Sequence, residues 1–382
     1  MRPRRPRPAR SGGRGHPHVE VYGLDPRPRR SASAGRATTR AAAWASCGAP
    51  ASTRSPPWCS TARATRSTTA SRARGFLFGT DGNRIHEVRL CDELQPGRTY
   101  SYRVGGAGGW SAVHTFRTPE APGTFDTFRV AFVGDSRGAY ETWSFLVQAA
   151  AAQDPDFILF TGDAVGSGSS QAEWDAWFRA MGDVPAEIPV VFAHGNHEGL
   201  SQNYFAQVMQ PGNEQWFTIK YGNLHLVVLN DTVDWGSDDL EVEARYIDRS
   251  FAEAVPGYVG AAAHHQGMYA SCLTHRSNTV LRDLWVPHYD AAGVRLVFNG
   301  HNHIYERSVP IRGDVEVQPA AGATYLTAGG AGASLYPQFD ETEWFLHTAV
   351  PKHHFGIADF GPGGIHVVVR DAAGTVIDVF DR

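Results

Sequence analysis

Arg295-Leu-Val-Phe-Asn-Gly-His-Asn-His-Ile-Tyr-Glu-Arg307 is an apolar run that stops abruptly on Gly300-His301-Asn302-His303. Two histidines one residue apart at a strand end reach two points on the same side of a loop, and neutral imidazole is the commonest protein ligand of first-row metals. A single His-x-His also occurs by chance in surface loops. The weight therefore falls on whether other apolar runs in the chain end the same way.

Four others do. Phe128-Arg-Val-Ala-Phe-Val133 ends in Gly134-Asp135, and Phe157-Ile-Leu-Phe160 in Thr161-Gly162-Asp163. Ile188 to Ala193 ends in His194-Gly195-Asn196-His197-Glu198, and Tyr258 to Ala263 in His264-His265. Between the runs, Glu141 to Ala152, Gln171 to Met181, Asp239 to Ala254 and Asn278 to Ala291 carry apolar residues at helical spacing. Strands alternating with helices argue an α/β sheet. Ligands in such a sheet gather outside the carboxyl ends of the strands. Asp135, Asp163, Asn196, one of His264 and His265, His301 and His303 would all meet there, with Gly134, Gly162, Gly195 and Gly300 permitting sharp turns and close approach beside them.

Carboxylate, amide oxygen and imidazole together suit Fe, Zn or Mn rather than Ca or a thiolate-bound metal. Two Asp, one Asn and three His are more than one ion with an open position takes. Two ions sharing a carboxylate fit the count. Such a pair, roughly 3.5 to 4 Å apart, clamps the attacking and leaving oxygens of an in-line phosphoryl displacement and lowers the pKa of a bound water.

At 382 residues the chain exceeds what one core usually organises. A hydrophobic fraction of 42% and a charged fraction of 19% are those of a globular protein, and no apolar run approaches the length of a membrane span. The net charge of −4 hides an asymmetry: residues 1–75 hold 16 arginines against Glu20 and Asp25 (16 − 2 = +14), leaving 19 basic and 37 acidic side chains elsewhere (−18). Segment 1–75 is Arg, Ala, Ser and Pro-rich without hydrophobic periodicity, and reads as a disordered tail or a translation of the wrong reading frame. No signal peptide is legible in it. Cys47, Cys59, Cys91 and Cys272 show no Cys-x-x-Cys spacing, and the last two read as unpaired thiols.

Residues 76–120 read as short antiparallel strands: Ile85 to Cys91, the turn Gln95-Pro-Gly97, Thr99 to Val104 and Ser111 to Arg117. They look like the second half of a fibronectin type III-like β-sandwich module. Near the other end, Thr324 to Ala333 reads as a strand entering a Gly-rich loop, and Ile365 to Arg370 with Val376 to Phe380 as a hairpin. These tail strands are expected to complete a second sheet.

Taken in order, Gly-Asp135-Ser-Arg, Gly-Asp163-Ala-Val-Gly, Gly-Asn196-His-Glu and Gly-His301-Asn-His-Ile-Tyr-Glu-Arg307 resemble the blocks of the calcineurin-like metallophosphoesterases, and within them the purple acid phosphatase branch. The resemblance implies an α/β fold, a four-layer α/β/β/α sandwich over residues 125–382 preceded by a partial fibronectin type III-like module. It implies a dinuclear centre of divalent or mixed-valence ions, Fe, Zn or Mn. Asp135 and His303 would hold the first ion, Asn196, His301 and a histidine of the 264/265 pair the second, and Asp163 would bridge. His197 would face the substrate phosphate and act in catalysis; His275 resembles a pocket histidine with a similar role, and Arg137 could reach a phosphate oxygen.

The implied activity is an acid phosphatase-type phosphomonoesterase using a metal-bound hydroxide for in-line attack on phosphorus. A phosphodiesterase with the same metal core and a non-catalytic, metal-retaining binding module are the alternatives. The implied partner is a small-molecule phosphate ester, with neither nucleic acid nor membrane, and the family's location is extracytoplasmic or secreted.

Two departures from the family pattern stand out. Its chromophoric tyrosine, three residues after the bridging aspartate, falls at Gly166, so a colourless or weakly coloured enzyme is expected. Its His-x-Pro-x-Tyr block is degenerate in His264-His265-Gln-Gly-Met-Tyr269: counting back from Tyr269 selects His265, while His-His pairs in bacterial relatives favour His264. The reading places His264 first and keeps both.

Overall fold

The computed structural model describes residues 18–22, 69–72, 74–78, 83–88, 90, 94–106, 109–124, 126–233 and 239–382. Two short strands fall inside the arginine-rich segment, β1 (His18–Tyr22) and β2 (Thr69–Arg72). The rest of that segment's reading, and Cys47, Cys59 and Cys91, lie outside the described residues. After β3 (Arg74–Phe78) and β4 (Asn83–Glu87), which pair as a hairpin, come β5 (Thr99–Gly106), β6 (Gly109–Trp110) and β7 (His114–Arg117). β1 lies antiparallel between β2 and β5, and β5 also pairs with β6 and β7. Leu90, Tyr102 and Phe116 form a small core of their own. The Tyr102 hydroxyl donates to the Ala186 carbonyl at 2.6 Å, tying this module to the larger body.

The larger body begins at β8 (Phe128–Val133), followed by α1 (Tyr140–Ala151), β9 (Phe157–Phe160), α2 (Gln171–Met181), the short α3 (Val184–Glu187), β10 (Val190–Phe192) and α4 (Gln202–Gln207). A hairpin of β11 (Phe217–Tyr221) and β12 (Leu224–Val228) leads to α5 (Asp239–Ala252), β13 (Val259–Ala263), α6 (Thr279–Ala292) and β14 (Val294–Asn299). The chain closes with β15 (Tyr305–Ser308), a small hairpin of β16 (Ile311–Arg312) and β17 (Val315–Glu316), β18 (Thr324–Ala328), β19 (Leu346–Val350), β20 (His354–Gly361), β21 (Gly364–Asp371) and β22 (Val376–Asp381).

These strands form two sheets, in the orders β10-β9-β8-β20-β21-β22 and β11-β12-β13-β14-β18-β15-β19. β8, β9 and β10 run parallel, as do β12, β13, β14 and β18. Strand periodicity sorts side chains onto two faces. Phe128, Val130 and Phe132 of β8 meet Leu226, Ala261, Leu296 and Phe298 of the other sheet in the central core. Ala131 and Val133 face Trp143, Leu146, Trp174 and Trp177 of α1 and α2. On the far side Val227, Ala262 and Val297 face Leu240, Ile247, Leu281 and Trp285 of α5 and α6. The result is the expected α/β/β/α sandwich, with the central strands of both sheets buried on both faces.

Helix ends follow local chemistry. The Ser170 side chain accepts from the Glu173 amide at the start of α2, and Asn278 from the Leu281 amide at the start of α6, which ends on left-handed Gly293. The tail differs from expectation. Only β18 joins the second sheet with β15 and β19, whereas β20 pairs antiparallel with β8 and carries the β21–β22 hairpin into the first sheet. Arg129 and Asp359 fasten that crossover, Nε to Oδ1 at 2.6 Å and Nη2 to Oδ2 at 2.9 Å.

Candidate metal centre

The carboxyl ends of β8, β9 and β10 in one sheet and of β13 and β14 in the other open on a common edge. A carboxylate oxygen of Asp135, one of Asp163 and a ring nitrogen of His265 lie within 4.8 Å of one another there. Asp135 follows β8, Asp163 follows β9, Asn196 follows β10, His265 follows β13, and His301 and His303 follow β14. Each sheet thus contributes three side chains.

Three of these residues have backbone conformations that only glycine adopts readily: φ is 61° at Asp135, 59° at Asp163 and 66° at His301. Left-handed non-glycine residues cost about 1–3 kcal/mol each and persist where their surroundings hold them, commonly at ligand clamps. The neighbouring Gly134 and Gly300 do not carry the turn themselves. A Cβ on Gly300 would collide with Asp135 Oδ2 and stand 2.7 Å from the Thr161 carbonyl oxygen, so glycine is required for close approach. The His301 amide then donates to Asp135 Oδ1 and Oδ2 at 3.0 Å each.

Backbone carbonyls set the histidine tautomers. A carbonyl can only accept, so His265 Nδ1 donates to Thr161 O and His303 Nδ1 to Ser334 O, each at 2.7 Å. With Nδ1 committed in both, Nε2 is the ring nitrogen turned toward the cluster, the orientation in which a ligating imidazole is usually held. His265 Nε2 lies 3.0 Å from Asn196 Oδ1 and 3.3 Å from Asp163 Oδ1, and His303 Nε2 lies 3.6 Å from Asp135 Oδ1. The His301 ring sits 5.1 Å from that of His265 and 4.1 Å from that of His275.

These groups carry more negative and lone-pair character than a buried site tolerates without a cation. Burial drives the Asp135 carboxyl well above its ordinary range, against the pull of His265. Burial also opposes ionisation of Asp163, yet the charge of His265 and its hydrogen bond hold that carboxyl below the usual range. His265 is pushed well above an ordinary imidazole; burial alone would lower it, and Asp163 and Asp135 overcome that. Burial and the His265 charge depress His301 to about 2, and burial depresses His303 to about 4, so both stay neutral. A proton on His265 supplies positive charge where this donor set otherwise calls for metal, and the residues fit a centre of oxygen and imidazole ligands.

His264 stands apart. Its Nδ1 lies 3.0 Å from Asp231 Oδ2, and its ring packs edge-on against Trp285 of α6. The preference for His264 is reversed by this geometry: His265 is the member of the pair at the cluster. Arg137, His197 and His275 all lie beside it. Arg137 Nε is 3.4 Å from Asp163 Oδ2 without hydrogen-bond alignment, and its Nη2 is 3.3 Å from His303 Nε2. His197 Nδ1 donates to the Gly166 carbonyl at 2.7 Å, leaving Nε2 to face Asp163 Oδ2 at 3.9 Å.

A family model for calcineurin-like phosphoesterases matches residues 128–305, and one for the purple acid phosphatase N-terminal domain matches residues 28–118. The chain belongs to the purple acid phosphatase branch of the calcineurin-like metallophosphoesterases. Purple acid phosphatase 15 of Arabidopsis thaliana is 27% identical over 303 residues, covering 68% of this chain and 55% of that protein. Acid phosphatase type 7 of Mus musculus is 29% identical over 273 residues, covering 63% and 61%. A third relative, "Probable inactive purple acid phosphatase 1" of Arabidopsis thaliana, is 25% identical over 328 residues, covering 70% and 52%. The chain therefore spans about half to three-fifths of the length of these relatives. The purple acid phosphatase PPD1 from yellow lupin (Lupinus luteus) seeds superposes with a TM-score of 0.75 over 96% of this chain and 69% of that one at 17% identity, a likeness of fold.

Two residues of this purple acid phosphatase relative escaped the sequence reading. Tyr336 stacks on His303 with ring centroids 4.1 Å apart, and its ring also meets His275 at 5.6 Å. It arrives from the loop after β18, about thirty residues beyond the motif, and nothing local marks it. Glu198 is buried beneath Asp163. Its place in Gly-Asn-His-Glu was visible, but not what it touches.

Proposed function

We propose that this chain is a dinuclear metal-dependent phosphoesterase acting on small-molecule phosphate esters, most simply monoesters. The observation that supports it above others is the meeting of three candidate ligands from each sheet at one edge, with Nδ1 of His265 and His303 held by backbone carbonyls so that Nε2 of each faces the cluster. In this reading Asp135 and His303 hold one ion, Asn196, His265 and His301 the other, and Asp163 lies between. Fe, Zn or Mn suits the donors. When bound, the ions supply charge that polarises the phosphoryl oxygens and activates water for in-line attack.

The remaining work falls to the chain's own side chains. Arg137, whose side chain is partly exposed beside Asp163 and His303, offers its guanidinium to a phosphate oxygen. His197 has committed Nδ1 to Gly166, so Nε2 is where a proton can be held for the leaving oxygen. His275, lowered by burial and by the charge on His265, is neutral beside His301 and lines the same pocket.

Substituting Asp163 with Asn should abolish hydrolysis of an aryl phosphate, and full retained activity would defeat the reading. Parallel assays on mono- and diesters decide between phosphatase and phosphodiesterase. The loss of a tyrosine at Gly166, together with the name "inactive" on a relative, supports a second reading as a metal-retaining binding module. Bound metal without turnover of either ester favours that reading.

The same proposal divides the chain at about residues 120–125 into an N-terminal β-module and a catalytic region, in keeping with the two family models. It also places the protein outside the cytoplasm, as its relatives' family suggests. No helix among the described residues is long and apolar enough to cross a membrane.

A further inference from the structure

Glu198 is 1% exposed, and both oxygens of its carboxylate are occupied by main-chain donors. Oε2 accepts from the Asp163 amide at 2.9 Å and the Gly195 amide at 3.0 Å, and Oε1 from the Ala164 amide at 2.8 Å. Two of these donors belong to the loop after β9 and one to the loop after β10. The grip is returned: Asp163 Oδ1 accepts from the His197 amide at 2.9 Å. The two loops therefore hold each other through exchanged carboxylate-to-amide bonds, which are stronger than neutral hydrogen bonds. They are drawn so close that a Cβ on Gly195 would lie 2.5 Å from both Asp163 Oδ1 and Glu198 Oε2.

Asp163 needs such a grip. It is left-handed at φ 59°, and its carboxylate is the one that must address both halves of the cluster. Its amide direction fixes the peptide from which the side chain departs. From this geometry we infer that Glu198 is a positioning residue for the metal centre: it touches no substrate, and it fixes the backbone of Asp163 and Gly195 so that Asp163 and Asn196 present their oxygens together. Only an acceptor without donors serves, because three N–H groups point at it. A glutamine would turn its own NH₂ toward one of them.

The inference rests on the dinuclear reading above, and its test separates the two. Full-length wild-type protein, Glu198→Gln and a core control, Ile247→Ala on α5, are stripped of metal and titrated with Mn(II) by calorimetry and electron paramagnetic resonance. Apo-protein unfolding is recorded alongside. The wild type should bind two equivalents with a spin-coupled signal. Glu198→Gln should lose about 10- to 100-fold in affinity, the range for groups that orient metal ligands, and show isolated-ion spectra. Ile247→Ala should lose stability yet keep both equivalents and their coupling.

If Glu198→Gln matches the wild type, or loses no more affinity than the core control, the positioning role is wrong while the dinuclear reading stands. If the wild type itself binds less than one equivalent, the dinuclear reading falls and takes this role with it. Should Glu198→Gln not fold, Glu198→Asp, which keeps the charge and shortens the reach by one methylene, carries the same comparison.

Discussion

His264 and His265 are chain neighbours whose rings leave the end of β13 on opposite sides of the sheet. His264 turns toward α6, with Nδ1 3.0 Å from Asp231 Oδ2, and His265 turns into the gap between the sheets, with Nε2 3.0 Å from Asn196 Oδ1. The two therefore answer to different substitutions.

His265→Ala should reduce metal affinity and phosphoester turnover by at least 100-fold, more than the 10- to 100-fold typical of groups one step removed from a metal. His264→Ala removes the ring partner of the fully buried Asp231 carboxylate and should cost about 1–3 kcal/mol of stability. Denaturant melts and metal titrations on both variants check the division. A His264→Ala protein that loses metal but not stability contradicts it.

Gly300→Ala should fold and yet be inactive. The added methyl points at Asp135 Oδ2 and the Thr161 carbonyl, so the strand end must move away from β8. Circular dichroism should stay close to the wild type while aryl phosphate hydrolysis falls at least 100-fold.

Arg137→Ala is expected to act on substrate binding, since its partly exposed guanidinium lies beside Asp163 and His303 at the cluster. KM for a monoester should rise about tenfold with little change in kcat, the pattern of an interaction made equally in ground and transition states. A diester, with fewer anionic oxygens, should be affected less.

Away from the centre, Glu306 on β15 gives a pH dependence of stability. Oε1 accepts from the Ser271 amide at 2.7 Å, Oε2 has no partner, and burial pushes the carboxyl up to about 7 from an ordinary 4.5. A raised folded-state pKa means the proton is bound more tightly in the native protein. The associated stability is complete below pH 4.5 and is lost as pH rises through 7. At about 1.36 kcal/mol per pH unit the loss is on the order of 3 kcal/mol. Thermal melts between pH 4.5 and 8 should show this fall in the wild type and a flatter profile in Glu306→Gln.

Much of this architecture was legible because sheets buried on both faces leave near-continuous apolar runs. Phe128–Val133, Phe157–Phe160 and Gln171–Met181 have the same ends in sequence and structure. The β11–β12 hairpin is also written in the chain, as the alternating Phe217-Thr-Ile-Lys-Tyr221 before a Gly222-Asn223 turn. The sheet that β20, β21 and β22 join was not legible. Arg129 and Asp359 lie 230 residues apart, and no local pattern pairs them.

At the site, parity along β13 would have chosen between the histidines. Ala261 and Ala263 face the inter-sheet core and Ala262 the helices, so His265 continues the first set and His264 the second. The left-handed turns at Asp135, Asp163 and His301 leave no such trace, because even Asp and His adopt that conformation at only a minority of positions and tertiary contacts decide which.

Phe132 and Phe298 meet across the central core with ring centroids 5.1 Å apart, three residues before Asp135 and three before His301. The thickness of that aromatic contact acts as a caliper. It sets how far the jaws carrying Asp135 and His301 stand from each other, so a methylene gained or lost deep in the sandwich is transmitted outward as a change of gauge at the rim. The tolerances of the chemistry are in this sense machined into hydrocarbon that never touches it.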